Sequence, residues 1–277
     1  MLEMFKYDFM VNAFIVGILI AAIIPCIGTV VVLRRLSIMG DALSHISLAG
    51  VAAGLVFGIN PILSAVVFAV IASLCIEKIR SAIPKYGEIS TAVIMSFGIG
   101  LAAILSGFVT SGNFNSFLFG SLMAINPFEK YLIIGLSVVV LAMFLLLYRA
   151  LFYVTFDEES ARLAGIPVKL VTVIFTVLTA VTISISSRVV GTLVVSSMMV
   201  LPVAVSMQIA KSYKKTVVFS VLFSVFFVVT GLFLSYYLDL KPGGTIVMTG
   251  VLTLVATLLV KSFKERIKRA VKIRGED

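Results

Sequence analysis

Residues 10–33 read MVNAFIVGILIAAIIPCIGTVVVL, a run without one Asp, Glu, Lys or Arg. A helix rises about 1.5 Å per residue, so such a run can cross a hydrocarbon core of about 30 Å. Comparable runs follow at roughly 37–58, 61–79, 89–109, 129–149, 168–187, 189–210, 216–238 and 244–262. They are unbroken rather than alternating, which argues against a β-barrel. Of the 277 residues, 61% are hydrophobic and 13% charged. The mean hydropathy is +1.19. A soluble domain carries about 45–50% apolar and about 25% charged residues. These charges are too few to coat a globule, which excludes an ordinary soluble enzyme, a disordered chain and a disulfide-stapled secreted domain. The expected fold is all-α: a polytopic transmembrane helical bundle of about nine spans, one domain over residues 1–277. Eight spans remain open, because only Ser186, Ser187 and Arg188 separate the sixth run from the seventh. One of those two could be a half-crossing.

The net charge is +9, from 22 Lys and Arg against 13 Asp and Glu. In a membrane chain this excess reads as the positive-inside bias rather than as a nucleic-acid surface. The stretch KSFKERIKRAVKIRGED, 261–277, is too basic to translocate easily, so the C-terminus is set in the cytoplasm. Nine crossings then leave only Lys6, Lys130, Arg188 and Lys241 outside, with every other basic residue inside. The tyrosines fall at or near segment ends, where an amphipathic ring gains most. The N-terminal MLEMFKYDFM lacks the positive region and cleavage site of a secretory signal, so the first run is expected to be a retained span. Cys26 and Cys75 sit inside apolar runs and read as small buried hydrophobes rather than a disulfide or metal pair. Gly50, Gly54 and Gly58, four apart, suit close helix packing.

A carboxylate inside a span costs roughly 2.5–3.5 kcal/mol on insertion scales, so it is a functional candidate by default. Asp41 and His45 lie four apart in SIMGDALSHISLAG, one turn apart on one helical face. His45 is the one histidine in the chain. A carboxylate and an imidazole at this spacing can chelate a divalent transition metal. The competing reading is a hydrogen-bonded pair that packs the helix, with Asp41 answering Arg34 or Arg35. Two ligands are too few for a transported ion. A two-fold dimer with this face on its axis would offer four.

The segment TFDEESARLAGIPVK, 155–169, carries its own helix signals. Asp157 can cap, Glu158 and Glu159 occupy the first turn, Arg162 the end, Gly165 the stop, and Pro167 follows. A short polar helix on the inner surface reads either as a docking lever for a soluble partner or as a surface connector. The chain has no G-x-x-x-x-G-K-[ST] phosphate loop, so an ATPase driving transport would be another chain. No Ser/His/Asp set or zinc-protease helix is visible, and the chain is not expected to be an enzyme.

RRLSIMGDALSHISLAGVAAG, FDEESARLAGI, RVVGTLVVSSMMVLPVAV and LDLKPGGTIVM, in this order, resemble the membrane permease subunits of zinc/manganese/iron ABC importers. The resemblance runs from about residue 20 to residue 260. It implies a permease homodimer, two cytoplasmic ATPase subunits and an extracytoplasmic metal-binding receptor. It implies a bacterial or archaeal inner or plasma membrane. The cargo would be zinc or manganese, with iron a third candidate, and no permanently bound cofactor. Asp41 and His45 would line the path and contact the metal. Phe156, Asp157, Ala161 and Gly165 would belong to a coupling helix that enters a groove of the ATPase. The receptor would touch the 110–129 loop. Pro202, Ser196 and Ser197 would bend and pack the seventh span. Asp239 matches a family position without an assigned role. The main rival is an ATP-independent metal carrier or channel. Two further readings are a membrane-embedded enzyme with Asp41 and His45 catalytic, and a permease for large chelates, in which the Asp/His pair has no clear purpose.

Overall fold

The computed structural model describes residues 8–83, 86–109, 114–120 and 127–274. Among the described residues every regular element is a helix. They are α1 (Asp8–Leu33), α2 (Ser37–Phe57), α3 (Pro61–Ala82), α4 (Gly87–Ser106), α5 (Phe114–Phe119) and α6 (Pro127–Phe156). There follow α7 (Glu158–Leu163), α8 (Val168–Val190), α9 (Thr192–Ile209), α10 (Tyr213–Leu238) and α11 (Pro242–Arg274). Among the described residues nine helices, all but α5 and α7, are long and apolar enough to cross a membrane. The fold is therefore the expected helical bundle, and α11 runs past its apolar part into the basic tail.

The boundaries follow from local chemistry. α2 stops at Gly58, which takes a left-handed φ of +68° and donates its N–H to the Gly54 carbonyl. Asn60 then caps α3: its side-chain oxygen accepts from the N–H groups of Ile62 (3.0 Å) and Leu63 (3.2 Å), with Pro61 in the first turn. The sixth and seventh runs are two separate helices, α8 of 23 residues and α9 of 18. Their break lies at Gly191, φ +100°, and not at Ser186–Arg188, which belong to the last turns of α8.

α1, α2 and α8 form the inside of the bundle. Val16, Ile20, Ile23, Ile24 and Ile27 of α1 are wholly buried. α3, α4, α6 and α11 are peripheral and expose large apolar side chains such as Phe97, Leu146 and Leu252, a surface suited to lipid. The buried hydroxyls of Thr176, Thr179 and Thr182 on α8 are satisfied within the helix, each donating to a carbonyl one turn back. α2 lies tightly on α3. A β-carbon at Gly50 would stand 2.7 Å from the Ala65 Cα, and one at Gly54 2.9 Å from the Pro61 Cα. These two glycines do what the four-residue spacing suggested, whereas Gly58 serves the turn.

The helix ends sort into two groups. At one end of the bundle Arg34, in the α1–α2 turn, pairs with Glu158 of α7. At the other end Lys130 of α6 donates to the Asn12 side chain of α1 at 2.6 Å. This alternation is what successive antiparallel crossings require.

Candidate functional site

Asp41 and His45 sit in the first turns of α2, about 6 Å and about 12 Å along the helix from its start at Ser37. Both are half-buried. Residues 38, 41, 45, 48 and 52 follow one another at spacings of three and four and so share a face. At the α7 end this face is open: Ile38 is 49% exposed. Beyond His45 it closes, since Leu48 is 6% exposed and Ala52 wholly buried. Ser44, between the two candidate ligands, points elsewhere and donates to the Gly40 carbonyl at 2.9 Å.

Among the described residues neither Asp41 nor His45 takes a hydrogen-bond or ion-pair partner. Asp41 does not answer Arg34, whose guanidinium is taken by Glu158. The helix-packing alternative therefore loses its partner. No group of three or more His, Cys, Asp or Glu capable of holding a metal occurs among the described residues. One chain thus offers a carboxylate oxygen and an imidazole nitrogen, half of a four-ligand shell.

The closure beyond His45 is made by α5, a short helix that the sequence does not announce. Phe117 packs with Leu48, Val51 and Ala102, and Phe114 and Leu118 pack against the same cluster. α5 is pinned from the side. The Arg188 guanidinium stands 4.5 Å from the Phe117 ring centroid. The same guanidinium donates to Glu129 Oε2, from Nη2 at 3.1 Å and from Nε at 3.3 Å. Both side chains of this pair are 7% exposed. Arg188 is thus a buried structural cation rather than an exposed loop marker. Of the 110–129 stretch, residues 110–113 and 121–126 lie outside the described residues.

At the opposite end α7 has the caps its sequence promised. Asp157 takes an extended backbone, and its Oδ1 accepts from the N–H groups of Glu159 (3.0 Å) and Ser160 (3.1 Å). The Ser160 hydroxyl donates to the other carboxylate oxygen. These bonds, the hydroxyl first, hold the Asp157 carboxyl below the usual carboxylate range. Gly165, φ +77°, ends the helix and donates to the Arg162 carbonyl at 3.0 Å. Ala161 is wholly buried and fastens α7 to the bundle. Phe156 (60%) and Leu163 (90%) are exposed. Leu163 did not stand out in the sequence, where it reads as one more apolar residue. Its signal was position: a leucine opposite the buried Ala161 face on a helix with its own caps.

Three further residues behave differently from their sequence setting. Asp239 is the C-cap of α10 in a left-handed conformation, φ +52°, donating its N–H to Ser235. Asp tolerates that conformation better than most side chains, which gives it a local role. Pro202 lies inside α9 with Ser196 and Ser197 half-buried nearby. Cys26 is buried as expected, but Cys75 is exposed on α3, where an apolar setting means lipid rather than core.

Known proteins are similar to this chain over nearly its whole length. A probable metal transport system membrane protein of Treponema pallidum is 34% identical over 93% of this chain and 96% of that one. The manganese import system permease protein ScaB of Streptococcus parasanguinis is 29% identical over 96% and 95%. The high-affinity zinc uptake system membrane protein ZnuB of Haemophilus influenzae is 28% identical over 91% and 97%. Among solved structures, a chain of PsaBC from Streptococcus pneumoniae in complex with Fab superposes with a TM-score of 0.83 at 27% identity, over 92% of each chain. Residues 6–261 match the ABC 3 transport family, and the chain belongs to that family of membrane proteins.

Proposed function

We propose that this chain is the permease subunit of an ATP-driven importer for a divalent transition metal, manganese or zinc, with iron a third candidate. The observation that carries the reading is the half-buried Asp41–His45 pair, unpartnered among the described residues, on the inner half of a central helix, open toward α7 and closed beyond His45 by α5. A site closed on one side and open on the other suits alternating access. Manganese and zinc both accept mixed carboxylate and imidazole shells. Relatives named for manganese import and for zinc uptake support both metals.

In this account two copies meet across a two-fold axis, and the shell is completed by Asp41 and His45 from each. The chain is one permease domain in a bacterial or archaeal inner or plasma membrane. α7 and the C-terminus lie in the cytoplasm. ATP is hydrolysed on separate subunits, consistent with the absence of a phosphate loop from the sequence. Those subunits receive α7, where Phe156 and Leu163 offer exposed apolar contacts and Asp157 and Gly165 fix the ends. An extracytoplasmic receptor delivers the metal at the α5 end.

Reconstitution tests this reading. Vesicles holding the chain together with its ATPase subunits and receptor are expected to accumulate manganese or zinc when ATP is supplied. Metal flux through vesicles holding the chain alone, without ATP, would replace the importer with a secondary carrier.

A further inference from the structure

A cavity of about 690 Å³ opens where α1, α3 and α6 end, α8 begins and α7 crosses. Its wall carries five cations and three acids, and the acids are already engaged. Glu77 pairs with Arg80 at 3.0 Å. Glu158 is shared by Arg34 and, at 3.9 Å, Arg162. Asp157 caps α7. Among the described residues Arg35 and Lys169 have no ion-pair partner. The Arg34 side chain is only 10% exposed, and its Nη1 is buried without a hydrogen-bond partner. A buried guanidinium donor left unmade is costly; Glu77 Oε2 in the same wall is a buried acceptor that likewise lacks a hydrogen-bond partner, so the excess of the wall is one of charge, five cations against three acids. Burial first, and then the neighbouring Arg80, pull the Arg34 pKa down from its ordinary value, against the opposite pull of Glu158 and Glu77.

An anion that answers this excess has a definable chemistry. Arg34 and Arg35 on the α1–α2 turn and Lys169 on α8 offer several donors to one small space, which suits a phosphate with its several oxygens. The cavity lies among the ends of membrane helices, at the depth of headgroups. Leu33, Val154 and Val168 give it an apolar side. Basic pockets between spans on the cytoplasmic side are headgroup sites by the same logic. We infer that this cavity binds the phosphate of an anionic phospholipid headgroup from the inner leaflet. The headgroup bridges the α1–α2 turn, which leads directly into Asp41, to α7. The inference rests on the cytoplasmic placement of α7 proposed above.

The test is made on the purified full-length chain in neutral detergent, without metal or ATP, so its failure is separate from failure of the transport reading. Bound lipid is counted by native mass spectrometry during titration with short-chain phosphatidylglycerol, short-chain phosphatidylcholine or inorganic phosphate. One phosphatidylglycerol per chain is expected, held more tightly than phosphatidylcholine and retained once ATPase subunits are added. The exposed double variant Arg35→Gln/Lys169→Gln, which leaves the buried core untouched, is expected to weaken binding by roughly ten- to thirtyfold. Arg34→Lys, checked for a monodisperse fold, is expected to weaken it as well. Equal binding of the two lipids, or an unaffected double variant, overturns the inference. Displacement by inorganic phosphate at matched concentration overturns the lipid source. Expulsion of the lipid by the ATPase subunits assigns the cavity to a protein carboxylate and overturns it too.

Discussion

Arg188 of α8 and Glu129 of α6 form an ion pair with an N–O distance of 3.1 Å, and both side chains are almost wholly buried. The pair stands directly beside Phe117 of α5, which closes the α2 face beyond His45. The closure therefore depends on two charges brought together from separate spans. Removing one partner of a buried pair strands the other, at a cost of about 3–5 kcal/mol, whereas replacing both with apolar residues of similar size is often near neutral. Glu129→Ala is expected to lower the thermal midpoint of the purified chain clearly, and Glu129→Leu/Arg188→Met to restore most of it. Equal destabilisation by the single and double variants would mean that the cost is not that of a stranded buried charge.

The α2–α3 contact gives a second expectation. Gly50→Val places new atoms against the Ala65 backbone, which cannot yield as a side chain tip can. Overpacking of this kind costs about 1–3 kcal/mol. Gly58→Ala meets no neighbour and is strained only through its positive φ. Thermal unfolding should rank Gly50→Val as the more damaging change.

The cap of α7 is sensitive to composition and to pH. Asp157→Ala removes the acceptor for two backbone N–H groups, while Asp157→Asn keeps one. Hydrogen exchange of residues 158–163 should quicken in the alanine variant and much less in the asparagine variant. The carboxyl is held below its ordinary range, so its contribution is fully present above the unfolded carboxyl pKa. It is lost only as pH falls through the lowered folded value. Exchange protection of α7 should thus persist at mildly acidic pH and fail below the usual carboxylate range. Loss of protection near neutral pH would contradict this assignment.

Asp239 shows the opposite kind of motif residue, one whose position is explained by backbone geometry. Asp239→Gly suits the left-handed C-cap and is expected to change stability by no more than about 0.5 kcal/mol. Metal uptake by cells carrying this variant should match wild type. A large loss of uptake with a normal fold would give the Asp239 carboxylate a direct part in transport.

What could be read in the chain and what could not divides by range. The spans were legible because an apolar run of about 20 residues has few other uses. The caps of α7 were legible because every partner lies within a few residues of Asp157. The Asp41–His45 face was legible for the same reason, as one turn of helix defines it. Partners distant in sequence were not. Ser186–Arg188 looked like a polar break until Glu129, 59 residues away, supplied the counter-charge that lets α8 continue to Val190. Arg34 had Asp41 as its nearest acid in sequence, yet its partner is Glu158, 124 residues away. α5 gave no signal because six residues are too few for a periodic pattern and its packing partners lie on other helices.

The most direct measurement is uptake of radioactive manganese and zinc by cells whose chain carries Asp41→Ala or His45→Ala, with assembly of the transporter checked in the same cells. Each variant is predicted to assemble normally and to lose saturable uptake of the metal that the wild-type chain carries. Normal uptake of both metals by both variants would contradict the account, because the shell it describes is built on Asp41 and His45.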